Sequence, residues 1–375
     1  CHMAWGEENP KKLRQLVAEG LRNIHNIHTV ECSLAQIEDR GIDAAFFWQH
    51  LYYKNMAFDY EFTRSQNPVD FLTTGVFAAH FINTVSPQFL FEIVEGRHHF
   101  IKPYLRQEII NKYKASCATG ILNAPDPAFN PQTDQDLKAR YGPEDHPSAK
   151  QENKRFLQRN LGLTEDAAAP LFFWPSRLDP VQKGCQLLAE IFYHVISTWW
   201  EKNLQVVFVA DGAYQGVFRD IVAFHGLEKR TAVCNFNEQL EHLAYAASDF
   251  ILMPSSFEPC GLPQMTAPIY GSLPVAHNTG GIHDTIRPLN VDQDTGNGFL
   301  FDVFDTQGLF WAIEQAMAFY DLPSAVKATQ IERIMTQSRS EFTHAQTARH
   351  YIALYERMLK RPLIVNQTMT GVHEH

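Results

Sequence analysis

The sequence predicts an α/β protein with a doubly wound parallel sheet, in a chain of two domains. Three observations predict it. The chain has 375 residues, more than one ordinary core holds. From Leu171 onward, continuous apolar runs alternate with amphipathic stretches, the pattern of strands buried on both faces under helices. Three of the segments that follow those runs carry cationic, acidic and glycine-rich elements, and ligands bind parallel sheets at the carboxyl ends of their strands.

The elements follow in order. Residues 21–29 read as a strand ending in His25-Asn26, and residues 81–85 as another, closed by Ser86-Pro87. Residues 123–170 are rich in Pro, Asp and Asn, with a charged helical stretch near 150–160, and read as an interdomain connection. Leu171–Trp174 is a strand, followed by an amphipathic helix over 184–200. Further strands are predicted at 204–209, Thr231–Cys234, Phe250–Met253 and 273–276. Tyr351, Leu354, Tyr355 and Met358 recur at helical spacing near the end. The expected division is a partial first domain at 1–125, a connection at 126–168, a second domain at 169–340, a helix at 341–363 and a disordered polar tail at 364–375.

Composition narrows the function. Hydrophobic residues make up 45% and charged residues 20%, an ordinary globular balance. Lys and Arg total 32 against 42 Asp and Glu, a net charge of −10, which disfavours nucleic acid as a partner. The six cysteines form no CxxC pair, so reduced cytoplasmic thiols are expected, not a disulfide frame or a zinc site. No apolar run is long enough to span a bilayer and no secretory signal is visible, so no membrane partner is expected. The first residue is Cys, not Met, so a cloning remnant or a cut through a longer protein is expected.

Three constellations follow strands. In SRLDPVQKG, residues 176–184, Arg177 and Lys183 share a strand-to-helix loop where a helix N-terminus offers an anion site; a plain solvated loop fits the local residues equally well. In PSSFEPCGLPQ, residues 254–264, Glu258 can accept hydrogen bonds from sugar hydroxyls. Cys260 invites a nucleophile reading, but no basic partner stands in its motif and a small buried thiol is commoner. In NTGGIHD, residues 278–284, two glycines and a hydroxyl suit close backbone approach to phosphate. His25-Asn26 is a fourth candidate, although a lone His is more often structural. Walker A, GxGxxG and HExxH motifs are all absent, which disfavours P-loop ATPases, common dinucleotide dehydrogenases and zincins.

SRLDPVQKG, FEPCGLPQ, TGGIHDT (279–285) and GNGFLF (296–301), in this order and spacing, resemble the second domain of bacterial glycogen synthases and plant starch synthases. These are retaining glycosyltransferases of the GT-B fold, with two Rossmann-like domains facing a cleft. Thr84-Val85-Ser86-Pro87, Gly120-Ile121-Leu122-Asn123 with Asp126, and His25-Asn26 extend the resemblance to about residues 20–360. The resemblance implies transfer of glucose from ADP-glucose to an α-1,4-glucan. It implies that Arg177 and Lys183 hold the diphosphate, and that Thr279, Gly280 and Gly281 add backbone donors. Glu258, with Cys260, Gly261 and Leu262 in its motif, would meet the glucose. His25, supported by Asn26, would lie near the reacting carbon, and Phe236 near the adenine. No metal and no cofactor beyond the donor are implied.

The sequence also departs from the family. No KxGGL loop precedes His25, so a truncated first sheet with an exposed strand edge and little transfer by these 375 residues are expected. Ser256 stands where many relatives have Arg, Thr73-Thr74-Gly75 where some have a Lys before the Gly, and Ala210 where a Gly is usual. Ala124-Pro125 replace Gly and an apolar residue, and one extra residue lengthens the loop between Arg177 and Lys183. Two alternatives stay open: another GT-B nucleotide-sugar enzyme, such as a sucrose synthase or an epimerase, and a non-catalytic binding remnant.

Overall fold

The computed structural model describes residues 21–25, 27 and 31–363. The chain forms two compact units, one taking in residues up to Ile121 and from Ala348 onward, the other Leu122–Thr347.

In the first unit, strands β1 (Leu21–Ile24), β4 (Phe81–Thr84) and β5 (Ala118–Gly120) form a parallel sheet with β4 in the middle, and β2 (Glu31–Cys32) pairs antiparallel with β3 (Val69–Asp70). The Ser-Pro that closes β4 starts a helix for a local reason. Ser86 Oγ accepts from the Phe89 N–H, and Pro87 occupies the first turn, where its missing N–H costs nothing. That helix, Pro87–Glu95, buries Phe89, Leu90 and Ile93 and stops at Gly96, whose φ of 80° is the left-handed conformation of a C-terminal cap. Asn83 Nδ2 donates to the Tyr351 hydroxyl of helix His344–Leu359 at 3.1 Å.

In the second unit, six parallel strands lie in the order β11-β10-β9-β6-β7-β8. They are β6 (Leu171–Trp174), β7 (Gln205–Val209), β8 (Thr231–Cys234), β9 (Phe250–Met253), β10 (Leu273–His277) and β11 (Phe299–Phe301). The expected strands are present, and β11 adds one that the GNGFLF motif concealed. This is the Rossmann order, which reverses direction between β6 and β9. The helices fold for the expected reason. Cys185–Thr198 places Leu188, Phe192, Val195 and Ile196 on one stripe, buried among Trp174, Phe208 and Phe218. No helix among the described residues is long and apolar enough to cross a membrane.

Residues 126–168 differ from the expected connection: they belong to the second unit, where helix His146–Leu161 packs on helix Glu238–Ala247. Its charges misled the sequence reading because their partners lie far along the chain. Lys150 is buried, and its ammonium donates to the carbonyls of Ala246, Ser248 and Tyr270 at 2.8–3.0 Å. Lys154 Nζ reaches Asp249 Oδ2 at 2.6 Å and the Ala169 carbonyl at 2.9 Å. Each lysine adds a donor to carbonyls at strand and helix ends, where water is excluded; the Tyr141 hydroxyl shares the Tyr270 carbonyl with Lys150 at 2.9 Å.

A second polar clasp joins the same segment to the unit. Asp134 accepts from the ring Nδ1 of His242 at 2.7 Å and from the Tyr270 hydroxyl at 2.5 Å, while Phe129 stacks on His242. Burial alone would raise Asp134, but these hydrogen bonds and the Asp136 N–H outweigh it and hold the carboxyl below its usual range. The hydrogen bond to Asp134 holds His242 above its usual value. The His242 contribution is therefore complete below about pH 6.5 and fades as pH rises through its raised folded value. The Asp134 contribution is complete above about pH 4 and fades as pH falls through its depressed folded value. Asp134→Asn is expected to cost about 2 kcal/mol, most of it between about pH 4 and 6.5. Unfolding of wild type and variant across pH checks this, and a pH-independent difference would refute it.

Candidate active site

The reversal of strand order sets β6 beside β9, so the loops leaving their carboxyl ends are neighbours although they are far apart in sequence. Lys183, from the first loop, donates to Glu258 Oε2, from the second, at 2.5 Å across 75 residues of chain. Both side chains are largely buried, at 14% and 6% exposure, so this pair is shielded from solvent screening. Ser255 Oγ donates to the same carboxylate oxygen at 3.2 Å.

The loop from β6 is held by its own residues. Trp174 Nε1 donates to the Ser176 carbonyl, and the buried Leu178 donates its N–H to the Asp211 carbonyl at 2.9 Å. Arg177 between them is exposed and has no side-chain partner among the described residues. Gly184 then opens helix Cys185–Thr198 at φ 69°, and the helix N-terminus takes no side-chain cap.

In the loop from β9, Gly261 makes the turn at φ 71°, and the Gln264 amide caps the carbonyls of Cys260 and Gly261 at 2.7 and 3.0 Å. Leu262 is partly exposed beside them. Cys260 is buried, and burial pushes its thiol up to about 12, so it is no ready nucleophile. The buried-thiol reading is the correct one.

Beyond β10, Thr279 is buried and precedes the short helix Gly280–Thr285. The Gly281 N–H donates to the Glu258 carbonyl at 2.9 Å, joining the third loop to the second. Phe236, after β8, is 54% exposed, and its N–H donates to Asp211 Oδ1 at 3.1 Å. The Asp211 turn thus ties both Leu178 and Phe236 to one edge of the sheet.

Lys183, Glu258 and Gly281 are therefore linked by direct hydrogen bonds, with Arg177, Phe236, Thr279 and Gly280 on the connected loops. His25 follows β1 of the other unit and is exposed, and Asn26 lies outside the described residues. Among the described residues, Asp134, Asp136 and His242 could offer a cation three ligand atoms within 4.8 Å, but two of the three are already paired in the clasp.

The family described as glycosyl transferases group 1 matches residues 169–318, the part that holds this site. A glycogen synthase of Acholeplasma laidlawii is 33% identical over 340 residues, covering 90% of this chain and 67% of that protein. This chain belongs to the glycogen synthase family. A glycogen synthase of Bacillus subtilis is 34% identical over 309 residues, 81% of this chain, and the chain spans 60% of that protein's length. The catalytic domain of starch synthase IV from Arabidopsis thaliana, solved bound to ADP and acarbose, superposes with a TM-score of 0.76 at 28% identity, covering 95% of this chain and 70% of that one.

Within this glycogen synthase family member, sequence reasoning missed Asp211, Ser255 and His277. His277 Nδ1 meets the Ser255 carbonyl at 2.7 Å and so fixes the start of the acidic loop. None carried a motif signal of its own. Ser255 lies within the quoted PSSFEPCGLPQ run, but only folding shows where its hydroxyl goes.

Proposed function

We propose that the protein is a retaining glucosyltransferase that moves glucose from ADP-glucose to the non-reducing 4-hydroxyl of an α-1,4-glucan. The contact of Lys183 with Glu258 at the reversal of strand order carries this reading, because it sets a buried cation and a carboxylate side by side where a Rossmann sheet binds nucleotides. Family membership supports it.

In this reading Lys183 and Arg177 neutralise the diphosphate, aided by the uncapped N-terminus of helix Cys185–Thr198 and by the backbone of Thr279, Gly280 and Gly281. Glu258 accepts from glucose hydroxyls, Cys260, Gly261 and Leu262 shape the wall around it, and Phe236 flanks the adenine. His25 and Asn26 serve the sugar near its reacting carbon. The acceptor oxygen forms its bond to the anomeric carbon on the face from which the phosphate oxygen leaves. Its proton passes to that phosphate oxygen, and ADP departs. Preorganised cations stabilise the charge growing on the leaving group. A reducing, cytoplasmic setting fits the five cysteines that are free among the described residues.

Transfer of labelled glucose from ADP-glucose onto glycogen by the full-length protein tests the reading. Incorporation is expected, and nucleotide binding without incorporation would refute it. Two further outcomes are expected in the same assay. Transfer survives EDTA, because Lys183 and Arg177 take the place of a divalent ion on the diphosphate; loss restored by Mg²⁺ would refute that. ADP-glucose outperforms UDP-glucose; equal use of the two would refute the donor assignment alone.

A further inference from the structure

The loops of Lys183 and Glu258 also meet at a second point in the folded protein, between Ser256 and the residues just before Lys183. Ser256 Oγ donates to the carbonyls of Val181 and Gln182 at 2.8 and 3.2 Å, and its N–H donates to the Gln182 carbonyl at 2.8 Å. On the other side, Asp179 Oδ1 accepts from the N–H groups of Val181 and Gln182 at 2.8 and 3.2 Å. The Lys183 N–H closes the turn onto the Asp179 carbonyl at 2.9 Å. Val181 is 73% exposed while Gln182 is buried, so polar contacts hold the exposed part of the stretch. Its shape depends on two polar groups, Asp179 for the donors and Ser256 for the acceptors.

We propose that Ser256 is a positioning residue for Lys183, a strut that holds the loop before it so that the ammonium stays against Glu258. The proposal rests on the role given to Lys183 above. The strut reaches from the acidic loop, two residues before Glu258, to the residues just before Lys183. It therefore fixes the two charged groups relative to each other from a second point.

The test uses the full-length protein. Ser256→Ala is expected to lower kcat for glucosyl transfer about tenfold, with the KM for glycogen unchanged, because a small misplacement of a charge-stabilising group is costly. Ser256→Thr, which keeps the hydroxyl, should stay within about twofold of wild type. In a Lys183→Ala background, Ser256→Ala should cost less than about twofold, because the strut acts only through the lysine. Equal losses in the Ala and Thr variants, or losses that multiply in the double variant, would overturn the proposal. Backbone amide exchange at Val181, Gln182 and Lys183 decides the strut without any substrate: faster exchange in Ser256→Ala than in Ser256→Thr is expected, and equal exchange would overturn it. If wild-type protein transfers no glucose, the functional reading fails, while the exchange result still stands for or against the strut.

Discussion

Lys183→Ala is expected to lower glucosyl transfer by about 10²–10³, the usual cost of removing one preorganised group that stabilises transition-state charge. The ammonium lies 2.5 Å from Glu258 in a largely buried position, where its charge is poorly screened. Removing it also strands the Glu258 carboxylate, which among the described residues keeps only the Ser255 hydroxyl as a side-chain donor. Part of any lost activity could thus be lost stability, since breaking one side of a buried pair is costly in itself. A double variant separates the two. Lys183→Ala with Glu258→Gln removes both charges, so the unfolding midpoint should recover towards wild type while transfer stays low. Turnover at the wild-type level in Lys183→Ala would remove the lysine from the mechanism. Recovery of transfer in the double variant would show that the lysine serves only to neutralise Glu258.

Gly184→Ala is expected to destabilise the second unit by about 4 kcal/mol, combining the cost of a left-handed conformation with that of overpacking. Gly184 sits at φ 69°, and an added Cβ would lie 1.8 Å from the Pro254 carbonyl oxygen, a backbone atom of the neighbouring loop. The clash can be relieved only by parting the loop of Lys183 from the loop of Glu258. Gly281→Ala poses the same problem between the second and third loops, with a Cβ placed 1.9 Å from the Cys260 carbonyl oxygen. Gly216, inside helix Gln215–His225, has nothing within 4 Å of a built Cβ, and Gly216→Ala should be neutral or stabilising by up to about 1 kcal/mol. Thermal unfolding of the three variants checks this; a Gly184→Ala midpoint equal to that of Gly216→Ala would show that the loops are not held as described.

The sequence by itself determined the fold class and most strands of the second unit. Strands buried on both faces must be apolar throughout, so Leu171–Trp174, Thr231–Cys234 and Phe250–Met253 are legible as runs, and the loops after them as places for ligands. Strand β11 was hidden because three residues at a sheet edge make too short a run to read. The candidate site was legible in the residue types of three loops and in the family resemblance they carry. Only the tertiary structure decided which loops touch. Periodicity shows that a strand exists but not which neighbour it takes, so the pairing of β6 with β9, and with it the Lys183–Glu258 contact, is absent from any local pattern. Burial of charge was undecidable for the same reason. Lys150 and Lys154 read as part of a charged interdomain connection, because a lysine looks the same in sequence whether water or distant carbonyls accept its hydrogen bonds. The Ser256 strut is the smallest case: a serine hydroxyl and the Val181 carbonyl, 75 positions apart, carry no shared signal until the sheet brings them within hydrogen-bonding reach.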